Sequence, residues 1–290
     1  MLRQQEDEQT VLVVLFVMVS DLLKALQISG RSRPALGGSR RGRKAQLSLE
    51  ETVALALFRY ALNIKDVKHY HRHLLSHYRG WFGLPTYPNF VAQMNRVTPS
   101  VSLLLLWICQ QNRQRLGENP LYFIDTSALK VCENGRIAEH KVCAGLARRG
   151  KTTQGWFYGF KIGLVIDALG HLLSVALKPG NTHDTKFLHL FRGLHGLAVG
   201  DAGFLSKDKA ARLAEEGLVL MTDVKKSMKR LISPWQHTLL KMRQQVEIRL
   251  AQLKYRLQQV VSLARSPLGY LSRWMYATLA YCIFPMVEAV

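Results

Sequence analysis

The apolar positions of this chain change their period near residue 116. Before it they recur at helical spacing over 10–28, 47–62, 67–78 and 101–109, a pattern that predicts four helices. Ser48 followed by Glu51 reads as a capping box at the start of the second. After Glu118-Asn-Pro the period shortens toward two. Residues 121–128, 159–167 and 171–177 read as strands, with Ala168-Leu-Gly170 as a tight turn between the last two. A helix over 185–194, a strand over 197–199, a helix over 207–216, a strand over 218–222 and a long helix over 239–263 complete the pattern. No repeat of solenoid period interrupts it.

Three sequential strands followed by alternating helices and strands predict a mixed α/β sheet with helices on its faces. The order β-β-β-α-β-α-β-α is similar to that of a ribonuclease H-like fold. The expected organisation is therefore a helical, basic region over 1–115 and a ribonuclease H-like catalytic domain over 116–290. Inside the first, about 30–45 reads as a flexible basic linker. Residues 30–44 hold six bases, four glycines and no acid.

Charge narrows the partner. Forty Lys and Arg against twenty Asp and Glu leave a formal net charge of +20, which points to a polyanion. With 48% apolar and 21% charged residues the composition is that of a folded chain, not a disordered one. A membrane is disfavoured, because the longest apolar run, 11–19, is nine residues, about half of a bilayer span. It follows Glu6, Asp7 and Glu8, unlike the basic start of a signal peptide. Cys109, Cys132, Cys143 and Cys282 form no C-x-x-C pair, so neither a disulfide framework nor a Cys-rich zinc site is expected. These features predict a soluble cytoplasmic, nucleoid-associated protein.

The acids carry the chemistry. From 224 to 285 there are eleven bases and one acid, Glu247. So many cations keep that carboxylate ionised, and an ionised carboxylate suits a hard divalent cation. In Arg243-x3-Glu247-x6-Lys254 the three side chains fall within roughly 60° of one helix face. The plainer reading of Glu247 is an intrahelical ion pair with Arg243 at i,i+4. Asp125 sits late in an apolar strand, where burial is costly without a partner. Asp201 follows another, in Gly200-Asp-Ala-Gly203, although an aspartate there often caps a turn. Converging, the three acids would repel one another without cations, which implies Mg²⁺ or Mn²⁺, two ions being expected.

Several blocks resemble a known family. Tyr122-Phe-Ile-Asp-Thr126, Cys132-Glu-Asn-Gly-Arg-Ile-Ala-Glu-His-Lys141 and Arg149-Gly-Lys-Thr-Thr-Gln-Gly-Trp-Phe-Tyr-Gly-Phe-Lys161 are similar to transposases of the insertion-sequence 982 family. So are Lys178-Pro-Gly-Asn181 and Gly200-Asp-Ala-Gly-Phe204. The resemblance implies a ribonuclease H-like core and an Asp, Asp, Glu triad with divalent metal, carried by motif onto Asp125, Asp201 and Glu247. Leu240 stands where related enzymes place a Tyr before the Arg-x3-Glu-x6-Lys element. Asp201-Ala-Gly-Phe204 replaces an Asp-Lys-Gly-Tyr.

The expected function is DNA cleavage and strand transfer, with Arg243, Lys254, Lys225, Lys226, Lys229, Arg148, Arg149 and Lys151 on the DNA. Joining two DNA ends implies a homodimer, as does the resemblance. Two alternatives remain: a decayed transposase that only binds DNA, and a structure-specific nuclease on the same fold. Among rival residues, Asp167 reads as turn chemistry and Asp184 as a helix cap, the latter also being the best substitute for a triad member. His69, His73 and His77 read as a solvated stripe facing phosphates rather than a metal site. Trp156, Phe157, Tyr158 and Phe160 read as core before base-stacking groups. Gly145-x4-Gly150-Lys151-Thr152 lacks a preceding strand and is rejected as a nucleotide loop.

Overall fold

The computed structural model describes residues 2–27, 45–153, 155–223, 233–256 and 264–287. Most of the proposed linker, with Lys225, Lys226 and Lys229, lies outside the described residues. The chain groups into two compact units. One comprises residues 1–108, 253–259 and 263–290, and the other residues 109–252 with 260–262.

The first unit is helical: α1 (Leu2–Ala25), α2 (Leu49–Ala61), α3 (Val67–His77), α4 (Tyr87–Arg96), the first part of α5 (Thr98–Gln114) and α9 (Pro267–Val287). The capping box at Ser48 is formed, with Ser48 Oγ accepting from the Glu51 amide and the Ser48 amide donating to Glu51. From Thr52 to Tyr60 every residue of α2 is buried, so α2 is surrounded, packing on α1, α4 and α9. Tyr276 of α9 donates its hydroxyl to Met94 O, and Tyr60 donates to the backbone oxygen of Arg273. The last helix thus returns to the helical unit, although it follows residue 116 in the chain. The apolar pattern had not marked α4, whose first turn holds Pro88 and whose inward residues are Phe90, Gln93 and Met94.

The second unit is built on a six-stranded sheet: β1 (Leu121–Cys132), β2 (Arg148–Thr152), β3 (Gly155–Asp167), β4 (Leu172–Pro179), β5 (Gly196–Gly200) and β6 (Leu218–Thr222). The order is β2-β3-β1-β5-β6, with β4 also paired to β3. β2 takes the Gly155–Gly159 stretch of β3 and β4 takes Phe160–Ile166, so the two share one edge. β1 is antiparallel to β3 and parallel to β5, which is parallel to β6. The sheet is mixed, and helices alternate with its later strands, as the pattern predicts.

Three elements differ from that pattern. The segment after β4 is a 3-10 helix, Asp184–Phe191, not an α-helix. β2 was not foreseen; Arg-Arg-Gly-Lys-Thr has no apolar alternation to mark it. The long helix over 239–263 is instead α7 (Pro234–Met242), a break at Arg243, α8 (Gln244–Ala251) and a π turn over Gln252–Arg256. Residues 257–263 lie outside the described residues.

The sheet's core face buries Tyr122, Ile124, Val165, Phe187, Phe191, Ala198, Phe204 and Leu218. The end of α5 fastens β4 and the 3-10 helix beside it. Arg113 donates to the carbonyl oxygens of Leu173, Leu190 and Arg192 and to Ser174 Oγ, while Asn112 donates to Leu172 O. Four acceptors on one rigid guanidinium fork are more than a lysine can satisfy. Arg113→Ala is expected to destabilise the protein by about 2–4 kcal/mol, and Arg113→Lys to recover less than half of that, as measured by urea unfolding.

Candidate functional site

β1 and β5 run parallel, with Leu121 beside Leu197, Tyr122 beside Ala198 and Phe123 beside Val199. Continued two residues beyond the last pair, that register sets Asp125, the fifth of the twelve residues of β1, next to Asp201, the first residue after β5. Gly200 permits the approach, since a Cβ there would meet Ile124 Cγ2 at 3.0 Å. Asp125 Oδ1 accepts from the Thr126 amide at 2.7 Å. Asp201 Oδ1 accepts from the Ala202 amide at 2.7 Å and caps a short 3-10 turn, Ala202–Phe204. The turn-capping reading of Asp201 is therefore observed.

α8 lies against β1 and β3. It buries Val246 and Leu250, and the Arg249 guanidinium sits over the β3–β4 turn, where a Cβ on Gly170 would meet it at 2.6 Å. Glu247, one position along from Val246, is exposed and pairs with Arg243, Nη2 to Oε1 2.9 Å. The i,i+4 ion pair is thus observed as well.

The electrostatics link the three acids. Burial pushes the Asp125 carboxyl up to about 7, and the charges of Glu247 and Asp201 push it the same way. The Thr126 amide and the Arg243 guanidinium oppose this and do not cancel it. Among the described residues, no three acidic, His or Cys side chains are gathered closely enough to hold a metal ion together. The acids lie within each other's field, then, but not in a closed coordination sphere.

The other predicted residues are distributed unevenly. Arg148, Arg149 and Lys151 lie on β2, exposed. Lys254 lies in the π turn and groups with the first unit. The break at Arg243 and the π turn end the single helical phase that put Arg243, Glu247 and Lys254 on one face. Asp167 does what its turn predicts, accepting from the Leu169 and His171 amides. Asp184 does not cap its helix; His183 does. Its carboxylate instead accepts from Thr126 Oγ1 at 2.6 Å and Lys161 Nζ at 2.9 Å, and a Cβ on Gly203 would meet it at 2.9 Å. This triad ties β1, β3 and the 3-10 helix together directly behind Asp125. Thr126 and Lys161 were not singled out from sequence for this role, since only tertiary pairing brings them to Asp184.

Residues 117–266, just over half of the chain, match the family model described as "Transposase DDE domain". The chain belongs to the transposase DDE domain family. Among solved structures this family member aligns with the cryo-EM structure of piggyBac transposase synaptic complex with hairpin DNA. The TM-score is 0.50 at 13% identity, covering 97% of this chain and 75% of that one. The likeness is one of fold. A pre-cleavage Mos1 transpososome is matched at 12% identity over 97% of both chains, with a TM-score of 0.23 that carries no argument. No curated protein matches the sequence. Among the described residues, no helix of this transposase-family chain is long and apolar enough to cross a membrane.

The raised Asp125 carboxyl fixes a sign. A carboxyl whose folded value exceeds its unfolded one stabilises the fold fully below about pH 4, and that stability is lost as pH rises through about 7. With chelator present, Asp125→Asn is expected to be more stable than wild type at pH 8 by about 1–2 kcal/mol, discounted for partial exposure. The difference should vanish toward pH 4 in thermal melts. Asp184→Ala should act oppositely, lowering stability by about 2–4 kcal/mol by leaving Lys161 unpaired.

Proposed function

We propose that this chain is a DNA transposase of the insertion-sequence 982 type, cutting and joining DNA at Asp125, Asp201 and Glu247 on a ribonuclease H-like core. The observation that carries this reading is the electrostatic coupling of Asp125 to Asp201 and Glu247, with Asp125 inside β1 and Asp201 just past the end of the parallel strand β5, within a chain of the transposase DDE family. The strand order β4-β3-β1-β5-β6, antiparallel then parallel, supports the ribonuclease H-like assignment, with β2 as an addition at the edge.

The donor set fits a divalent cation. All three side chains offer oxygen only, which suits Mg²⁺ or Mn²⁺, and the site has a deficit of positive charge around a carboxyl held up near 7. Bound by these carboxylates, a pair of such ions supplies Lewis acidity to activate a water or a DNA 3′-hydroxyl and to take up charge on the leaving oxygen. The protein's own residues set the rest. Asp125 is held by strand pairing and Asp201 by the 3-10 turn that it caps, and the Asp184–Lys161–Thr126 triad braces β1 from behind. Arg243 holds Glu247 and faces Asp125. No side chain need form a covalent intermediate and no nucleotide is needed, because strand transfer exchanges one phosphodiester for another.

Arg148, Arg149, Lys151, Arg243 and Lys254, with Lys225, Lys226 and Lys229, would neutralise backbone phosphates, so binding should weaken steeply with salt. The helical region over 1–115 would bind the element's ends, through the exposed Lys68, His69, Arg72, His77 and Arg79 of α3 and the turn after it. A homodimer would hold two ends. A chain that binds DNA without cutting it is the second reading; the Arg243–Glu247 ion pair favours it, since that pair occupies the glutamate.

The two readings separate by experiment. Asp125→Ala, Asp201→Ala and Glu247→Ala are each expected to cut Mg²⁺-dependent strand cleavage by at least about a thousandfold while leaving salt-sensitive DNA binding within about twofold. Cleavage that survives Glu247→Ala removes that residue from the triad. A wild-type chain that binds but never cleaves establishes the second reading, and one that hydrolyses ends without joining a labelled 3′-hydroxyl is a nuclease.

A further inference from the structure

The β2–β3 hairpin presents a second chemical surface away from the acids. Of the aromatics in Trp156-Phe-Tyr-Gly-Phe160, only Phe157 is fully buried. It packs where β2 meets the chain after β4: a Cβ on Gly150 would come within 2.8 Å of its ring and one on Gly180 within 2.9 Å. A Cβ on Gly150 would also meet Gly180 O at 2.1 Å, so the hairpin's inner face is pressed against backbone and its position is fixed. Trp156, one residue earlier, points from the other face and is 55% exposed.

Cations sit beside that indole. Lys151 is its direct partner in the ladder, with Nζ 5.7 Å from the ring centroid. Arg149, two residues along β2 and therefore on the same face, places Cζ 5.9 Å from the same ring. The Trp156 carbonyl accepts from Asn134 Nδ2 at 2.8 Å, which braces the hairpin from the β1–β2 connection. A large aromatic face left in water on a rigid support, with a guanidinium and an ammonium beside it, combines the two elements of single-strand recognition: a base stacks on the ring while adjacent phosphates meet the cations.

We propose that Trp156 is a stacking platform for an unpaired DNA base, with Arg149 and Lys151 binding the phosphates next to it. This deepens the DNA-transposase reading and rests on it. Lysines and arginines alone would hold duplex and single strands through phosphate with no base contact. The indole adds a preference, because the faces of internal bases in a duplex are covered by their neighbours, whereas an unpaired or extruded base offers a free face. The ligand is thus a single-stranded or frayed DNA segment. An indole flanked by cations also suits an anionic lipid surface, but the family and the net charge of +20 favour DNA.

The test measures binding of the full-length chain to a labelled oligothymidine and to a blunt duplex of equal length, at one salt concentration, with Mg²⁺ omitted. Trp156→Ala is expected to weaken oligothymidine binding about tenfold and duplex binding less than twofold, while Trp156→Phe keeps most of the single-strand affinity. Equal loss on both DNAs, or loss on neither, overturns the proposal. If the alanine variant melts earlier than wild type, Trp156→Leu replaces it: single-strand binding retained by Phe and lost by Leu supports stacking, and equal binding by both overturns it. Binding of phosphatidylserine vesicles that depends on Trp156 while oligothymidine binding does not also overturns it. A wild-type chain that binds neither DNA rejects the DNA reading as a whole, an outcome distinct from the loss of strand preference alone.

Discussion

A carboxylate on the central strand of an apolar sheet constrains everything around it. Asp125 follows Tyr122, Phe123 and Ile124, all buried, and is held on β1 by ladders to β3 on one side and β5 on the other. Removing water from it favours the neutral form, and the neighbouring acids add to the penalty. A protein selected for stability alone would place an apolar residue there or supply a matched cation. Here the nearby guanidinium is shared: Arg243 faces Asp125 and is already paired to Glu247. The carboxyl is therefore held up by its surroundings in the folded state, and a strongly raised acid of this kind is more common at functional sites than elsewhere.

The reverse side of the same strand makes the contrast. Alternation sends Ile124 and Thr126 to the face opposite Asp125, and there Asp184 is satisfied by Lys161 and Thr126. Two carboxylates lie within a residue's reach of the same stretch of β1, in different electrostatic states. Behind the strand the charges balance, and the result is a brace joining three elements. In front, Asp125 stands among two further acids with the Arg243 charge set against them, and its carboxyl is raised. Asp184 has its lysine at 2.9 Å, which offsets the carboxylate's charge where it stands.

Much of this was legible in the chain because it depends on local pattern. The strand that carries Asp125 and the one that leads into Asp201 begin as apolar runs, although β1 continues to Cys132, past the 128 that its pattern marks, and the capping box at Ser48 and the turn at Asp167 are formed by neighbours two to four positions apart. What was not legible depends on partners far away in sequence or on details of hydrogen bonding. β2 is a polar pentapeptide made into a strand by β3, with Gly150 admitting the close contact. The period of apolar residues from 239 onward is the same whether a helix is continuous or broken at Arg243 and widened into a π turn, because Val246, Leu250 and Leu253 remain buried in either case. The 3-10 segment after β4 likewise keeps helical apolar spacing while its hydrogen bonds tighten. The exposure of Trp156 beside the burial of Phe157 follows from strand alternation once β2 and β3 pair, and not before.

The ion pair between Arg243 and Glu247 bears on both readings of the acid site, and its size decides how much it constrains. Glu247 is 47% exposed in that pair. An i,i+4 pair with one partner in water is worth about 0.3–0.5 kcal/mol, smaller than the cost of keeping Asp125 among like charges. A rotamer change at an exposed glutamate opens it without disturbing Val246 or Leu250, which hold α8 to the sheet. Arg243 would then face the acids or a phosphate, its positive charge still beside Asp125. The pair is therefore a weak restraint on Glu247, which the fold can open at little cost.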